Sequence, residues 1–277
     1  MKCAWFLLVW VAGVMVMSSA AAQDSRKNAA TTVNDTSLEV VALESLHQFQ
    51  FTPAQMRTLR RLAQETAMQP GAREAVKVSE GFRKTLLDLR NALADAANAE
   101  RIQQLQEKID KLRTQEKVDL DDAVEITEAA TRRAPEIFKL LSARQVAGYI
   151  ALYADDFPDP LEILLAAMPR VRALNAKDWE AVREDVSEEV GRLVAGLDAD
   201  KSGKISDQVI QLLIQARALK EDEFKKHQPD LEASARELVG KVSAFDVIQH
   251  VLERSLAEVL SNPRLAAAID ARLKKSP

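Results

Sequence analysis

The stretch "FRKTLLDLRNALADAANAERIQQLQEKIDKLR", residues 82–113, decides the fold of this chain. Its apolar side chains recur at alternating intervals of three and four residues, on both sides of a weaker stretch around "DAAN". This spacing places them on one stripe of an α-helix, and such a stripe must be buried against another helix. The positions between them, such as Gln103, Gln104 and Glu107, are polar, so the stripe is narrow. We call the stripe the seam; it comprises Phe82, Leu86, Leu89, Leu93, Ile102, Leu105, Ile109 and Leu112.

The composition extends this helical pattern to the whole chain. Only 8 Gly and 9 Pro occur in 277 residues, whereas strong helix formers such as Ala, Leu, Glu and Arg dominate. Strand-like alternation bounded by turn residues is missing. We therefore predict an all-α protein. Long amphipathic helices should form a helical hairpin or coiled-coil-like N-terminal half, and a smaller helical bundle should form the C-terminal half.

The N-terminus has the three parts of a secretory signal peptide. A short basic start is followed by the uncharged apolar run Ala4–Met17 and then by Ala20 and Ala22 in a small-x-small pattern. The run is shorter than the roughly 20 residues that a membrane span needs. We predict a signal peptide over 1–22, a disordered tether over 23–37, export to the periplasm or the medium, and no stable membrane span after cleavage. Cleavage would also remove Cys3, the only cysteine.

A short sequence word occurs twice, as "QFTPAQM" at 50–56 and "LLSARQV" at 140–146. Thr52 and Ser142 are good helix N-caps, since a side-chain hydroxyl can accept from a free backbone N–H in the first turn. Gln55 and Gln145, three residues further on, can reach back to complete capping boxes. On this ground alone, both words predict helix starts.

The order of these elements resembles the Spy/CpxP family of periplasmic chaperones and stress sensors, also called the LTXXQ family. "LHQFQFTPAQMRTLRRLAQ" is similar to the first motif of that family, the stretch containing the seam to its central segment, and "FKLLSARQVAGYIAL" to its second motif. The resemblance covers about residues 46–152, within a predicted domain over 38–155. It implies a cradle-shaped homodimer that holds unfolding proteins without ATP. The seam would then line the cradle or the dimer interface and bind partners.

The C-terminal half, residues 156–277, has no counterpart in that family. "DDFPDP" is a plausible boundary, because Pro158 and Pro160 interrupt a helix. The helices that follow form a bundle of their own or pack back onto the first half. Their predicted bounds are Leu161–Leu174, Lys177–Leu197, Ser206–Leu219, Asp230–Val242, Ala244–Leu260 and Pro263–Lys275.

One stretch of this half, "DADKSGKISDQV" at 198–209, is similar to a calcium-binding EF-hand loop. Gly203 falls where that loop turns sharply, but Val209 stands where a bidentate Glu supplies two oxygens. We therefore expect a connector between two helices, with weak calcium binding as the alternative. The calcium ligands would be Asp198, Asp200, Ser202, Lys204 and Ser206.

No sequence motif indicates catalysis, and we predict that the protein is not an enzyme and holds no cofactor apart from the calcium alternative. The net charge of −4 gives no electrostatic case for nucleic acid. Three functions remain: an ATP-independent extracytoplasmic chaperone or stress sensor, a non-catalytic helical scaffold for a fixed partner, and a calcium-responsive binding module. The expected partners are unfolded or specific proteins and a second copy of the chain.

Overall fold

The computed structural model describes residues 32–69, 76–120, 122–153 and 157–275. The predicted signal peptide lies outside these residues, as does most of the predicted tether. The described residues are all-α, as predicted, and contain no strand. Their helices are α1 (Val33–Gln48), α2 (Pro53–Thr66), α3 (Glu80–Ala94), α4 (Ala99–Glu116), α5 (Glu128–Phe138), α6 (Ala143–Leu152), α7 (Pro160–Val171), α8 (Ala176–Ala195), α9 (Ala199–Ala218), α10 (Glu221–Val239), α11 (Ala244–Ser261) and α12 (Leu265–Lys275).

Helix α1 begins inside the segment that the sequence predicts to be a disordered tether. Residues 33–37 are helical, and Val33, Thr36 and Ser37 are buried. The tether prediction is therefore wrong for these five positions. Their small and polar side chains are typical of a tether, but burial against the rest of the protein stabilises the helix, which propensity alone does not foresee.

The first hydrophobic core surrounds the hairpin of α3 and α4. These two helices pack against each other across the short turn at residues 95–98, and α1 packs on α3. Most of the seam lies in this core: Phe82 is fully buried and Ile109 is 6% exposed. The seam therefore finds its partner helices within the chain.

The last two helices complete this first core. Leu252, Leu256, Leu265 and Ile269 of α11 and α12 belong to the same buried cluster as α1–α5. The Asn262 side chain, between α11 and α12, donates from Nδ2 to the Leu38 carbonyl of α1 at 2.9 Å.

Helices α7–α10 form a second core, which includes Leu164, Trp179, Leu213 and Phe224. The boundary predicted at residue 156 is therefore wrong as a division into two domains. The described residues from Val33 to Lys275 form one compact unit, because α11 and α12 return to the first half.

The connector predicted at residues 198–209, on which the calcium alternative depends, is also wrong. Asp198 is the N-cap of α9 and accepts from the Lys201 backbone N–H at 2.9 Å, so helix starts directly after it. The other proposed ligands, Asp200, Ser202, Lys204 and Ser206, lie within the first turns of α9, and Gly203 is helical rather than the site of a turn. Their oxygens follow a helix and do not converge on one point, as a calcium loop requires.

Close packing of α8 on α9 uses these same residues. A Cβ atom added to Gly191 of α8 would lie 2.9 Å from the Ser202 carbonyl oxygen and 2.5 Å from Ser206 Oγ. Ser206 Oγ also donates to the Ser187 carbonyl of α8 at 2.9 Å. The serines that the loop pattern uses as ligands therefore form a helix–helix contact that requires Gly191.

Two matched glycine substitutions should have opposite effects on stability. Gly191→Ala should destabilise the protein by about 1 kcal/mol, because the clash with α9 outweighs the gain in helix propensity. Gly203→Ala should stabilise it by about 0.5–1 kcal/mol, since nothing lies within 4 Å of the added Cβ. Urea unfolding of both variants tests this. A destabilising Gly203→Ala would indicate that residues 198–206 are a turn after all.

Candidate functional site

Both copies of the repeated word form the capping boxes that the sequence predicts. Thr52 is the N-cap of α2, and its backbone N–H donates to Gln55 Oε1 at 2.8 Å. Ser142 is the N-cap of α6, and its backbone N–H donates to Gln145 Oε1 at 3.0 Å. The sequence pattern thus locates both helix starts.

The two capping boxes contact each other, which sequence reasoning missed. Gln55 Nε2 lies 3.1 Å from Gln145 Oε1, and Gln145 Nε2 lies 3.0 Å from Gln55 Oε1. Gln145 Nε2 also lies 3.0 Å from the Phe49 carbonyl oxygen, while Gln55 Nε2 donates to the Leu140 carbonyl at 2.7 Å. Each glutamine therefore caps its own helix and binds the other motif. No local rule relates two positions 90 residues apart, but the repetition itself is a signal of a paired arrangement.

Stacked aromatic rings extend this contact. The Phe49 ring lies 5.3 Å from that of Phe51 and 4.6 Å from that of Tyr149, between ring centroids. Tyr149 in turn contacts Tyr153, and its hydroxyl donates to Ser255 Oγ at 2.9 Å. These contacts thus join the end of α1 to the buried side of α6.

The remaining surface of α6 is weakly packed. Among its residues only Gln145 and Tyr149 are buried, although the helix is rich in Ala, Val and Ile. Leu140 before the helix and Leu152 at its end are 47% and 62% exposed. Much of the exposed surface around α6 is therefore apolar.

The seam is not a surface open to a partner, contrary to its predicted role. Seven of its residues, Phe82, Leu86, Leu89, Leu93, Ile102, Leu105 and Ile109, are 6% exposed or less, and Leu112 is half-buried against the same core. The physical reason is that α1 and α12 pack on α3 of the hairpin, and α3 and α4 cover each other. What remains accessible is the bottom of a groove beside the seam.

We call this cleft, which runs along α4 on the side facing α1, the α4 groove. It consists of two cavities, of about 410 and 740 Å³, and Glu44, Gln103 and Gln106 line both of them. Gln106 Nε2 donates to Glu44 Oε1 at 2.7 Å, so this side-chain pair lies at their junction. Cavities of 300–1,000 Å³ are the usual size of ligand sites.

Five seam residues form the apolar floor of the α4 groove. Leu86, Leu89 and Ile109 line the smaller cavity, and Leu93 and Ile102 line the larger one. The predicted binding stripe thus contributes only its edge to the accessible site.

The smaller cavity is acidic. Besides Glu44 it is lined by Glu107, Asp110 and Asp122, with Arg113 as the one basic side chain among its lining residues. Arg113 pairs with Asp122, which also accepts from Ser37 Oγ at 2.7 Å. We call it the acidic cavity.

Glu44 is the electrostatically unusual group of the acidic cavity. Burial raises the pKa of its carboxyl, and the charges of Asp110 and Asp122 raise it further. The hydrogen bond from Gln106 and the charge of Arg113 act in the opposite direction but do not compensate. The ionised form of Glu44 is therefore destabilised in the unliganded groove, and a cation close to it would stabilise that form.

The larger cavity is the more apolar of the two, and we call it the apolar cavity. Leu46, Phe51, Leu152 and Tyr153 line it together with the seam residues named above. Its polar side chains include His47, Gln48, Gln50 and Arg272. Burial and the charge of Arg272 lower the pKa of His47, so its imidazole is neutral at pH 7. Arg272 donates to the Leu93 carbonyl at the end of α3.

Within the described ranges, no group of three or more His, Cys, Asp or Glu side chains is arranged to hold a metal ion. Among the described helices, none combines the length and the apolar character needed to cross a membrane.

No known protein family, curated protein or solved structure matches this chain.

Proposed function

We propose that this protein is an extracytoplasmic chaperone or stress-sensor-like protein that binds unfolded or partner polypeptides without ATP and without catalysis. The observation that supports the proposal is the α4 groove. It combines an apolar floor of Leu86, Leu93 and Ile102 with a rim of glutamine amides, and so offers both contacts that an unfolded chain needs. Export is part of the proposal and rests on the N-terminal sequence. Homodimerisation is also part of the proposal, and it rests on the resemblance to the Spy/CpxP family.

A non-catalytic scaffold is the second candidate, and the burial of the seam favours it. A chaperone for many proteins needs a broad apolar surface, whereas here most of the seam is covered by the chain itself. A narrow groove suits a fixed partner segment better than it suits many unrelated ones.

Aggregation assays separate these two functions. The purified protein, at about equimolar concentration and without nucleotide, should suppress light scattering by several unrelated unfolding proteins. If it protects none of them, the chaperone proposal is wrong and the scaffold remains.

The oligomeric state is tested separately. Static light scattering of the purified protein alone measures its molecular mass, and a monomeric mass at micromolar concentration would contradict the homodimer.

A further inference from the structure

The α4 groove has the length of a short extended peptide. It follows α4 from Ala99 to Arg113, which at 1.5 Å per residue is about 21 Å. An extended chain rises about 3.3 Å per residue, so about six residues would fill the groove.

The rim favours an extended backbone over a helical one. Gln48, Gln50, Gln103 and Gln106 line the groove, and each amide offers donors and an acceptor. A helix satisfies its own backbone groups, whereas an extended segment outside a sheet presents free N–H and C=O groups along its length. Glutamine amides at several points of the groove can therefore pair with the free N–H and C=O groups of an extended segment.

Charge complementarity defines one end of the occupant. The acidic cavity brings Glu44, Glu107, Asp110 and Asp122 together against the single guanidinium of Arg113. A lysine or arginine side chain in this cavity would pair with these carboxylates, and an acidic side chain would be repelled.

Apolar surface defines the other end. In the apolar cavity, Leu46, Leu93 and Ile102 provide a buried floor, and exposed Leu152 forms part of the edge. An aliphatic or aromatic side chain there would remove the exposed surface of Leu152 from water and contact the floor of the cavity.

We propose that the α4 groove binds an extended polypeptide segment of about six residues, with a lysine or arginine side chain in the acidic cavity and an apolar side chain in the apolar cavity. This inference rests on the proposed function, because it assigns the site and the chemistry of the bound polypeptide.

Three fluorescent eight-residue peptides test the charge selection. They share one sequence of leucine, serine and glycine and differ only at two positions, which carry lysine, glutamine or glutamate. The lysine peptide should bind about tenfold more tightly than the glutamate peptide, which corresponds to two partly exposed charge pairs. The difference should shrink as salt is raised. Equal affinities for the lysine and glutamate peptides would overturn the proposal.

Matched variants on α4 locate the binding. Gln103 lines both cavities, whereas its neighbour Gln104, also exposed, lines neither and donates to Glu100. Gln103→Trp should fill the groove and weaken binding of the lysine peptide at least tenfold, and Gln104→Trp should leave it unchanged. Similarly, Glu107→Gln should weaken binding of the lysine peptide about two- to fivefold. Glu100→Gln, which lies outside the groove, should leave this binding unchanged. Circular dichroism checks that these exposed substitutions leave the fold intact.

The outcomes separate this inference from the proposed function. If unfolding proteins are protected but no peptide binds, or if Gln103→Trp and Gln104→Trp behave alike, the groove is the wrong site and the chaperone proposal stands. If the lysine peptide binds as expected but no unfolding protein is protected, the groove is the site of a scaffold and the chaperone proposal is wrong.

Discussion

Replacing Leu105 and Ile109 together with aspartate should unfold the protein. Both side chains are buried in the first core, with 4% and 6% of their surface exposed. The change removes two aliphatic side chains, each of which stabilises a fold by about 1.5–3 kcal/mol when buried. It also places two carboxylates among buried apolar side chains, where desolvation penalises their charge. The combined loss should approach or exceed the roughly 5–15 kcal/mol by which domains are stable.

Circular dichroism and size-exclusion chromatography would detect this unfolding. Lys108→Asp together with Lys111→Asp is the matched control, since both lysines are exposed on the same helix. This control should cost about 1 kcal/mol in total, mainly through helix propensity. A folded Leu105→Asp/Ile109→Asp variant that loses only partner binding would instead mean that the seam is an accessible surface.

Gln145→Ala should destabilise the protein by about 2–3 kcal/mol, because it removes half of a capping box and leaves the buried Phe49 carbonyl without its side-chain donor. Gln55→Ala should cost less, since that side chain is more exposed. The double variant should lose less than the sum of the two single variants, by about 1 kcal/mol or more, because each change breaks the same amide pair.

Urea unfolding of the four proteins completes this double-mutant cycle. Gln64→Ala, an exposed glutamine on α2, controls for the loss of a glutamine as such and should change stability by less than about 0.5 kcal/mol. Additive effects of Gln55→Ala and Gln145→Ala would show that the two motifs act only as separate helix caps.

The features that sequence predicts well here are local ones. Thr52 and Ser142 act through backbone groups within three residues, so their capping boxes can be read directly from the chain. The seam is also predictable as a buried stripe, because its spacing fixes the face on which Leu86 and Ile109 lie. Spacing does not say which helix covers the stripe, so the burial of most of the seam within the chain could not be read from the sequence.

The features that sequence does not predict depend on distant partners. Gly203 and Asp198 match a loop pattern, yet packing of Ser202 and Ser206 against Gly191 favours a helix at the same place. The α4 groove brings Glu44 of α1 next to Gln106 of α4, and neither residue carries a local signal of that contact. Helix α10 is a further case: its start was predicted at Asp230, but it begins at Glu221 and includes Pro229.

The return of α11 and α12 to the first core sets the order in which the protein can be completed during synthesis. The ribosome makes α1–α5 first. The hydroxyl of Thr66, at the end of α2, cannot donate to the Leu260 carbonyl until Leu260 has been made, and the Leu38 carbonyl cannot accept from Asn262 until Asn262 has been made. Contacts between such distant parts of a chain form slowly, because a long loop must close before they are gained. Until α11 and α12 have been made, the first core therefore lacks the buried side chains that these two helices contribute.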